Sequence, residues 1–447
     1  MFGSIVVGSL WPTNSWDFPT YLGISSIVLF YISFRNGFVI KGIFEFLPML
    51  WQRFIATIAV LAIFIGLTSF IYSPFRQWFG QAYNSIDFWT GDHTPLNSYL
   101  THWGVFLFIT ITWLIWESRN WMAKTPLSNL RKLLPYKNFI IGGLAVVFIL
   151  FIALILAGIQ IACVALPIIF IAFLLLLRKD QTEIKKFVLL LTIVGFSLTL
   201  AVEVILLHGD IGRMNTVFKF YFQAWTLISI SSACYLVWII RSVILDWRQN
   251  WQKIWLSSVS LILLGALLFP ITATIDKITD RISHNVPLTL NGMDFMYYSQ
   301  YQQNGTMMNL NQDYQAILWM QQNVQGSPII VEGNVPEYQW GNRFTIYTGL
   351  PGVVGWSWHE RQQRAVLPQD WVTERIDEIQ QFYTTSDILS TRQFLLKYHV
   401  KYIILGQLER IVYPGAGLLK FNSQNGVLWD QVYQYSDTQI YKVRDNL

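Results

Sequence analysis

Two basic residues beside an apolar stretch are the first candidates for chemistry in this sequence. The segment 208–225, HGDIGRMNTVFKFYFQAW, places Arg213 where a membrane span would begin, Lys219 about one turn inside it and Gln223 one turn deeper on the same face. Ionisable groups inside a bilayer usually face a cavity, because they are costly there unless paired or hydrated. The positive end of the helix dipole would add to the charge of both cations, so the segment predicts a binding site, or seat, for a phosphate or diphosphate.

Glu203 gives the same segment a second interpretation. It lies in the preceding apolar stretch, about one turn before His208, and is the obvious acidic partner. An ion pair from either cation to Glu203 or to Asp210 would only tie two helices together. The anion seat and the structural bridge both stay open at the level of the sequence.

Another acidic residue lies near the N-terminus, in the segment WPTNSWDFPTY at 11–21. Asp17 is flanked there by tryptophans, prolines and Asn14, a high density of rigid and polar groups beside an apolar stretch. A carboxylate in such a place can act as a general base or orient an acceptor. The alternative is an aromatic belt with turn residues, which is common at the ends of membrane spans.

The C-terminal half holds a further polar segment, 331–364, with the sequence VEGNVPEYQWGNRFTIYTGLPGVVGWSWHERQQR. Glu332 ends a predicted strand, and ligands of α/β domains commonly bind at strand ends. The polar surface of this segment is extended by Arg343, His359, Glu360 and Arg364. The alternative is a rim by which a soluble domain docks onto the membrane part.

Metal sites and common enzyme motifs are not indicated by the sequence. It contains no Walker loop, no G-x-S-x-G and no Cys-x-x-Cys. His359 and Glu360 have no second His or carboxylate at ligand spacing, so we predict no metal site there. We interpret Asp92 and His93, in a stretch of Gly, Thr and Pro, as a solvated turn. The cofactor is unknown; a divalent metal is compatible with the chemistry, but no ligand motif for one is present.

Membrane helices must position these residues. Only 13% of the 447 residues are charged and 53% are hydrophobic, whereas soluble domains have roughly 25% charged residues. Crossing the hydrocarbon takes about 20 apolar residues, and the candidate stretches are about 20–34 (short), 54–73, 102–118, 139–157, 159–177, 187–207, 217–240 and 254–271. The predicted fold class is therefore a polytopic α-helical membrane bundle of about eight spans, followed by a small extracytoplasmic α/β domain.

Basic residues predict the orientation of the bundle. Of the 18 Lys and Arg residues in 1–271, 15 lie in alternate loops, and short loops rich in Lys and Arg stay cytoplasmic. Arg213 and Lys219 are two of the three exceptions. The N-terminus, the loops 74–101 and 208–216 and the region after the last span are then extracytoplasmic. This pattern attributes the basic charge to membrane topology, so the predicted partner is a lipid bilayer and no nucleic acid.

The chain after the last span has the pattern of a small α/β domain. Helices are predicted over 313–323, 370–382 and 390–398, strands over 329–331 and 401–405, and a terminal hairpin over 428–443. The resulting domain prediction is a transmembrane helical domain at 1–271, an irregular crossing segment at 272–311 and an extracytoplasmic α/β domain at 312–447.

Several of these motifs resemble one family. They are NSWDFPTY (14–21), RMNTVFKFYFQAW (213–225), EGNVPEY (332–338), RFTIYTGLP (343–351) and GWSWHERQQR (355–364). Together they resemble the Chlor_Arch_YYY family of large, hydrophobic, uncharacterised multi-pass membrane proteins. The tyrosine triplet of that family is absent, since Tyr297 and Tyr298 form only a pair. Members are typically longer, so the chain resembles their C-terminal part, and an upstream half-protein supplying further spans is an expected partner.

The architecture of that family is similar to that of GT-C membrane glycosyltransferases. Those enzymes take a sugar from a polyprenyl-phosphate donor and have a catalytic Asp or Glu in the first extracytoplasmic loop. The resemblance implies a glycosyltransferase, or part of one, acting on a polyprenyl-phosphate-linked sugar at the extracytoplasmic face. Arg213 and Lys219, with Gln223, would bind the donor phosphate, and Asp17 or Glu203 would act as the base or orient the acceptor.

The soluble domain would close this site with three side chains, His359, Glu360 and Arg364. The alternative function is a non-enzymatic membrane assembly or binding module with an outer recognition domain. That alternative predicts that the charges around 203–219 are paired with each other.

Overall fold

A computed structural model describes residues 1–37, 47–80, 85–283, 286–368 and 370–446. The chain divides into two compact units. The membrane unit comprises Met1–Gln77 and Tyr83–Thr274, and the C-terminal unit comprises Trp78–Ala82 and Ile275–Leu447.

Ten α-helices and two short strands begin the described part of the chain. They are α1 Phe2–Thr13, α2 Asp17–Arg35, α3 Met49–Ile71, α4 Ser73–Trp78, β1 Ile86–Phe88, α5 Leu96–Lys124, α6 Lys137–Leu156, α7 Ala162–Leu176, α8 Glu183–Ala201, β2 Ile205–Leu207, α9 Met214–Asp246 and α10 Gln249–Arg281. Among the described residues, seven helices are long and apolar enough to cross a membrane. The predicted polytopic helical bundle is therefore confirmed.

Two details of the helices differ from the prediction. The stretch predicted as a span at 159–177 forms the apolar helix α7, which has 15 residues and follows a turn at Gly158, whose φ is +86°. The N-terminal helix α1 was not predicted, since Pro12 and neighbouring turn formers obscure its apolar run.

The core of the membrane unit is formed by α5, α7, α8 and α9, with α10 packed beside them. Aromatic side chains pack against each other in this core, where the ring centroids of Trp113 and Tyr235 lie 4.1 Å apart in a stacked arrangement. The buried Tyr235 hydroxyl lies 2.7 Å from the Thr192 hydroxyl, so its polar group is satisfied within the bundle.

A short antiparallel ladder at one end of the bundle brings two distant segments together. Strand β1 pairs with β2, with Ile86 opposite Leu207 and Phe88 opposite Ile205. The ladder places the residues before α5 beside those between α8 and α9. We call this end of the membrane unit the ladder end.

The C-terminal unit is a mixed α/β structure, as predicted. Its elements are α11 Phe295–Tyr298, β3 Gln300–Gln303, β4 Thr306–Asn309, α12 Leu310–Asn323, β5 Ile329–Val331, α13 Arg343–Thr348, α14 Ser357–Gln363, α15 Trp371–Thr384, α16 Ile388–Lys397, β6 Val400–Leu405, α17 Gln407–Val412, α18 Lys420–Ser423, β7 Trp429–Tyr435 and β8 Thr438–Val443. Four of these strands form one sheet in the order β5-β6-β8-β7, in which only the β5–β6 pair is parallel.

Both faces of this sheet are covered. Alternate residues of β6 face two separate cores, with Ile403 in one and Ile404 in the other, as expected for a strand buried on both sides. The segment 272–311, which the sequence indicated to be irregular, instead contains the end of α10 and a hairpin of β3 and β4. The pattern hid the hairpin because its strands are short and rich in Gln, Asn and Met.

Candidate functional site

Glu203 lies in a buried polar cluster at the ladder end. Its carboxylate accepts hydrogen bonds from the backbone amide of Thr94 at 3.0 Å and from the Thr94 hydroxyl at 2.5 Å. Arg213 Nη1 lies 2.9 Å from Oε1 of Glu203, and His93 Nδ1 lies 3.2 Å from Oε2. These four contacts occupy the lone-pair positions of a carboxylate. We name His93, Thr94, Glu203 and Arg213 the Glu203 cluster.

Arg213 is fixed within this cluster from several sides. Its guanidinium donates to the carbonyl of Val202 at 2.9 Å and to the Thr94 hydroxyl at 3.1 Å. Its Cζ lies 5.3 Å from the ring centroid of Trp89. The ion pair with Glu203 is the structural bridge that the sequence left open, and it neutralises the charge of Arg213.

Asp210 organises the start of α9. Its carboxylate accepts hydrogen bonds from the backbone amides of Asn215 at 3.1 Å and Thr216 at 2.8 Å, and from the Thr216 hydroxyl at 2.7 Å. Burial opposes the charged form, but the hydrogen bonds from Thr216 and Asn215 outweigh it and lower the pKa of Asp210. Asp210 thus occupies the amides of Asn215 and Thr216, and the phosphate seat at the start of α9 stays a prediction that depends on side chains.

A second cluster is formed by Trp16, Asp17, Lys219 and Gln223, which we name the Asp17 cluster. Gln223 Nε2 donates to the carbonyl of Trp16 at 2.9 Å, and Lys219 Nζ lies 6.0 Å from the Trp16 ring centroid. Within the described ranges, Trp16 Nε1, Asp17 Oδ1 and Gln223 Oε1 are buried and have no hydrogen-bond partner. Buried polar atoms without partners are rare, and three of them in one cluster could contact a polar ligand.

The sequence interpretation missed His93 and Thr94. It took His93 for part of a solvated turn, whereas the structure places the His93 ring against Glu203 with 20% of its side chain exposed. The contact spans 110 positions of sequence, and no local pattern indicates it. Another polar pair of this end, Asp87 and His208, lies across the β1–β2 ladder at 2.8 Å and is exposed.

Arg343 forms the centre of a buried charge cluster in the C-terminal unit. Its Nε lies 2.7 Å from Asp313, its Nη2 lies 2.9 Å from Glu409, and its Nη1 lies 3.5 Å from Glu332. Glu332 also accepts hydrogen bonds from the backbone amides of Phe344 and Thr345. The Arg343 side chain is 1% exposed. Glu332 and Arg343 therefore stabilise the fold of this unit and do not extend its polar surface, because each is enclosed by its partners.

One guanidinium faces three carboxylates in this Arg343 cluster, and the pKa values reflect that imbalance. Burial raises the pKa of Asp313 and that of Glu332. Burial acts in the same direction on Glu409, but the Arg343 guanidinium and backbone amides outweigh it and lower the pKa of Glu409. The Arg343 cluster thus contains one carboxyl group with a lowered pKa and two with raised pKa values.

His359, Glu360 and Arg364 are placed elsewhere in the same unit, on α14 and at its C-terminal end. His359 Nε2 lies 3.0 Å from the Tyr338 hydroxyl, and its ring centroid lies 5.6 Å from that of Trp356. Glu360 and Arg364 are one turn apart and joined through their backbones. These contacts are with residues other than Glu332 and Arg343, which are enclosed in the Arg343 cluster.

No group of three His, Cys, Asp or Glu side chains in the part of the chain that the structure describes could hold a metal ion. The Glu203 cluster contains one acid and one histidine, and the Asp17 cluster contains one acid. The chemistry that these groups offer is proton transfer and binding of anions.

Comparisons with known proteins bear on the membrane unit. The family described as "Uncharacterized membrane protein (DUF2298)" matches residues 1–228. A comparison with curated proteins gives no significant match. Among solved structures, the C-terminal globular domain of an oligosaccharyltransferase from Archaeoglobus fulgidus is matched at 12% identity, over 29% of this chain and 95% of that chain. The TM-score is 0.21, so this likeness carries no argument about fold or function.

Proposed function

This chain belongs to the DUF2298 family of uncharacterized membrane proteins, and we propose that it binds a polyprenyl-phosphate-linked sugar at the ladder end and transfers the sugar as a GT-C-like glycosyltransferase. The observation that carries the proposal is the Asp17 cluster, whose three buried polar atoms have no partner among the described residues. Leaving such an atom unpaired costs about 1–3 kcal/mol. Hydroxyl groups of the sugar and of the acceptor would donate to Gln223 Oε1 and Asp17 Oδ1, and Trp16 Nε1 would donate to an oxygen of the substrate.

The two carboxylates take different roles in this proposal. Glu203 already holds four donors, so it positions Arg213. Asp17 Oδ1 has no partner among the described residues, so Asp17 is the proposed base. The acceptor hydroxyl attacks C1 of the sugar and passes its proton to Asp17, while the bond between C1 and the phosphate oxygen breaks.

Lys219 is proposed to neutralise the leaving group. The lipid phosphate departs as an anion, and Lys219 is the proposed ligand because its ammonium belongs to the Asp17 cluster, 6.0 Å from the ring centroid of Trp16. Stabilising charge that develops in the transition state is usually the largest catalytic contribution. Gln223 orients the donor beside it, and the Arg213–Glu203 pair keeps the start of α9 in place.

The proposed face is extracytoplasmic. The support for this face is the bias of 15 of the 18 basic residues in 1–271 toward alternate loops, which are predicted to be cytoplasmic. The roles predicted for His359, Glu360 and Arg364, and the finer resemblance to the Chlor_Arch_YYY family, remain predictions.

Binding of a polyprenyl phosphate to the purified full chain tests the proposal. We expect Lys219→Ala to weaken binding about 10- to 100-fold, the effect of losing about 1.5–3 kcal/mol from a charged hydrogen bond. Lys253→Ala is the matched control, because it removes one exposed cation from the opposite end of the bundle. Equal affinities for Lys219→Ala and the wild type would exclude Lys219 as the phosphate ligand.

Transfer of the sugar requires a separate assay. With a polyprenyl-phosphate sugar as donor, Asp17→Asn should retain donor binding and lose about 100- to 10,000-fold in rate, the usual contribution of a general base. Glu203→Gln should instead lower thermal stability. Full transfer activity in Asp17→Asn would remove Asp17 from the reaction.

A non-enzymatic membrane assembly or binding module is the second candidate. The observation that favours it is the Arg213–Glu203 ion pair at 2.9 Å, since that alternative expects the charges of this segment to pair with each other. Its expected result in the same assays is no binding of polyprenyl phosphate by the wild-type chain.

A further inference from the structure

The membrane unit has a groove between α2, α7 and α8, at the end opposite to the ladder. The groove has a volume of about 910 Å³, and its apolar lining includes Ile27, Ile32, Phe187 and Leu190. A helix rises about 12 Å from Ile27 to Arg35, which is most of the roughly 15 Å of hydrocarbon in one leaflet. The groove is therefore long enough for a large part of an acyl chain.

Two cations lie at the mouth of this groove and share their partners. The Tyr31 hydroxyl accepts hydrogen bonds from Arg35 Nη1 and from Lys186 Nζ, each at 2.8 Å. Glu183 forms ion pairs with both Arg35 and Lys186. One carboxylate cannot neutralise two cations, so the mouth keeps an excess of positive charge.

Two further basic residues, Arg178 and Lys179, line the same groove. Arg178 Nη1 lies 3.3 Å from Oε1 of Glu117, but Lys185 Nζ lies 3.0 Å from the same oxygen. Asp180 follows Lys179 in the sequence but is not a lining residue. The charged lining residues in the part described are one acid and four bases: Glu183, Arg35, Arg178, Lys179 and Lys186.

We infer that this groove binds one anionic phospholipid, with the headgroup phosphate at the basic mouth and an acyl chain along the apolar wall. Basic pockets between membrane helices are suited to anionic headgroups. The apolar wall distinguishes a lipid from a free phosphate ion, which would contact only the mouth. This inference does not rest on the proposed function, because it uses different residues at the other end of the membrane unit.

Charge complementarity makes the lipid preference measurable. A Lys or Arg near the surface of an anionic membrane contributes about a fivefold change in affinity. A zwitterionic headgroup gains little from an excess of positive charge. The groove should therefore select phosphatidylglycerol over phosphatidylcholine, and each removed cation should reduce the selection.

Native mass spectrometry of the full chain tests the inference, after reconstitution in nanodiscs with equal amounts of phosphatidylglycerol and phosphatidylcholine. We expect the wild-type protein to retain phosphatidylglycerol, and Lys179→Gln/Lys186→Gln to lower its share relative to phosphatidylcholine by roughly 5- to 25-fold. Lys132→Gln is the matched control, because Lys132 is exposed, is predicted on the same side and does not line the groove. An equal share in wild type and double variant would overturn the inference.

A variant that keeps all charges makes the test independent of the ion pairs. Ile32 is 47% exposed, so Ile32→Trp should fold and fill part of the groove. We expect it to lose the bound lipid while millimolar inorganic phosphate leaves the wild-type lipid in place. Retention of the lipid by Ile32→Trp, or its displacement by phosphate alone, would contradict an acyl chain in the groove.

Discussion

At the scale of single residues, burial separates carboxylates that can react from those that hold the fold. Glu203 and Glu409 are enclosed by donors, and each faces a guanidinium within 3 Å. Protonating either would break several hydrogen bonds at once. Asp17 keeps one oxygen without a partner among the described residues. The residue types were visible in the sequence, but only the partners distinguish these roles.

The Arg343 cluster gives the first prediction about stability. Arg343→Met leaves Asp313, Glu332 and Glu409 buried without a cation, and removing one partner of a buried ion pair costs about 3–5 kcal/mol. We expect a large fall in the thermal midpoint of the C-terminal unit, measured by tryptophan fluorescence of the full chain. Arg364→Met, at an exposed position, is the control and should change the free energy of unfolding by less than about 0.5 kcal/mol. A midpoint for Arg343→Met equal to the control would contradict this role.

Because of Lys420, we expect the stability of the C-terminal unit to depend on pH. Burial lowers the pKa of Lys420 to about 8 from an ordinary value of 10.5, while its ammonium donates to the carbonyls of Phe382 and Thr385. Between about pH 8 and 10.5 the unfolded chain therefore binds one proton more than the folded chain. The free energy of unfolding should rise with pH in this window, by at most about 1.4 kcal/mol per pH unit.

Lys420→Met should remove that rise, because the variant has no proton to release at this position. The measurement is the thermal midpoint of the C-terminal unit at several pH values from 8 to 10.5. Lys442→Met, at an exposed position, is the control and should keep the slope of the wild type. Parallel curves for the wild type and Lys420→Met would show that Lys420 titrates alike in the folded and unfolded chain.

At the scale of elements, the local pattern predicted most helices and strands. The strand at 329–331 coincides with β5 and the tail at 428–443 contains the β7–β8 hairpin, because apolar periodicity is a local property. Long-range pairing was not predictable in the same way. Nothing in the segments 86–88 and 205–207 specifies that they pair, yet this ladder is what places His93 beside Glu203.

The start of α9 gives a prediction for one element. Asp210 is its capping carboxylate, and losing such a cap costs about 0.5–2 kcal/mol. We expect Asp210→Ala to raise the amide hydrogen-exchange rates of Asn215 and Thr216 by roughly 2- to 30-fold, measured by mass spectrometry on the purified protein. Asp246→Ala, at the other end of α9, should leave those rates unchanged. Exchange rates in Asp210→Ala equal to those of the wild type would mean that the first turn of α9 does not depend on this cap.

At the scale of the whole molecule, the distribution of charge is the strongest orienting feature of the chain. The seven long apolar helices follow from composition, but their direction depends on where Lys and Arg lie. Basic residues are translocated with difficulty, so loops that contain them remain cytoplasmic. Arg213 and Lys219 oppose this bias: Arg213 is paired with Glu203, and Lys219 is the proposed phosphate ligand.

Cysteine labelling in intact cells tests the orientation. In a background with Cys163 and Cys234 replaced by Ala, we expect Asp92→Cys and Asp437→Cys to react with a membrane-impermeant maleimide. Lys132→Cys should react only after the cells are permeabilised. All three positions are exposed, so a difference in labelling reports the side of the membrane and not burial. Labelling of Lys132→Cys in intact cells, with protection of the other two positions, would show that the bundle has the opposite orientation. The proposed sugar transfer would then take place at the cytoplasmic face.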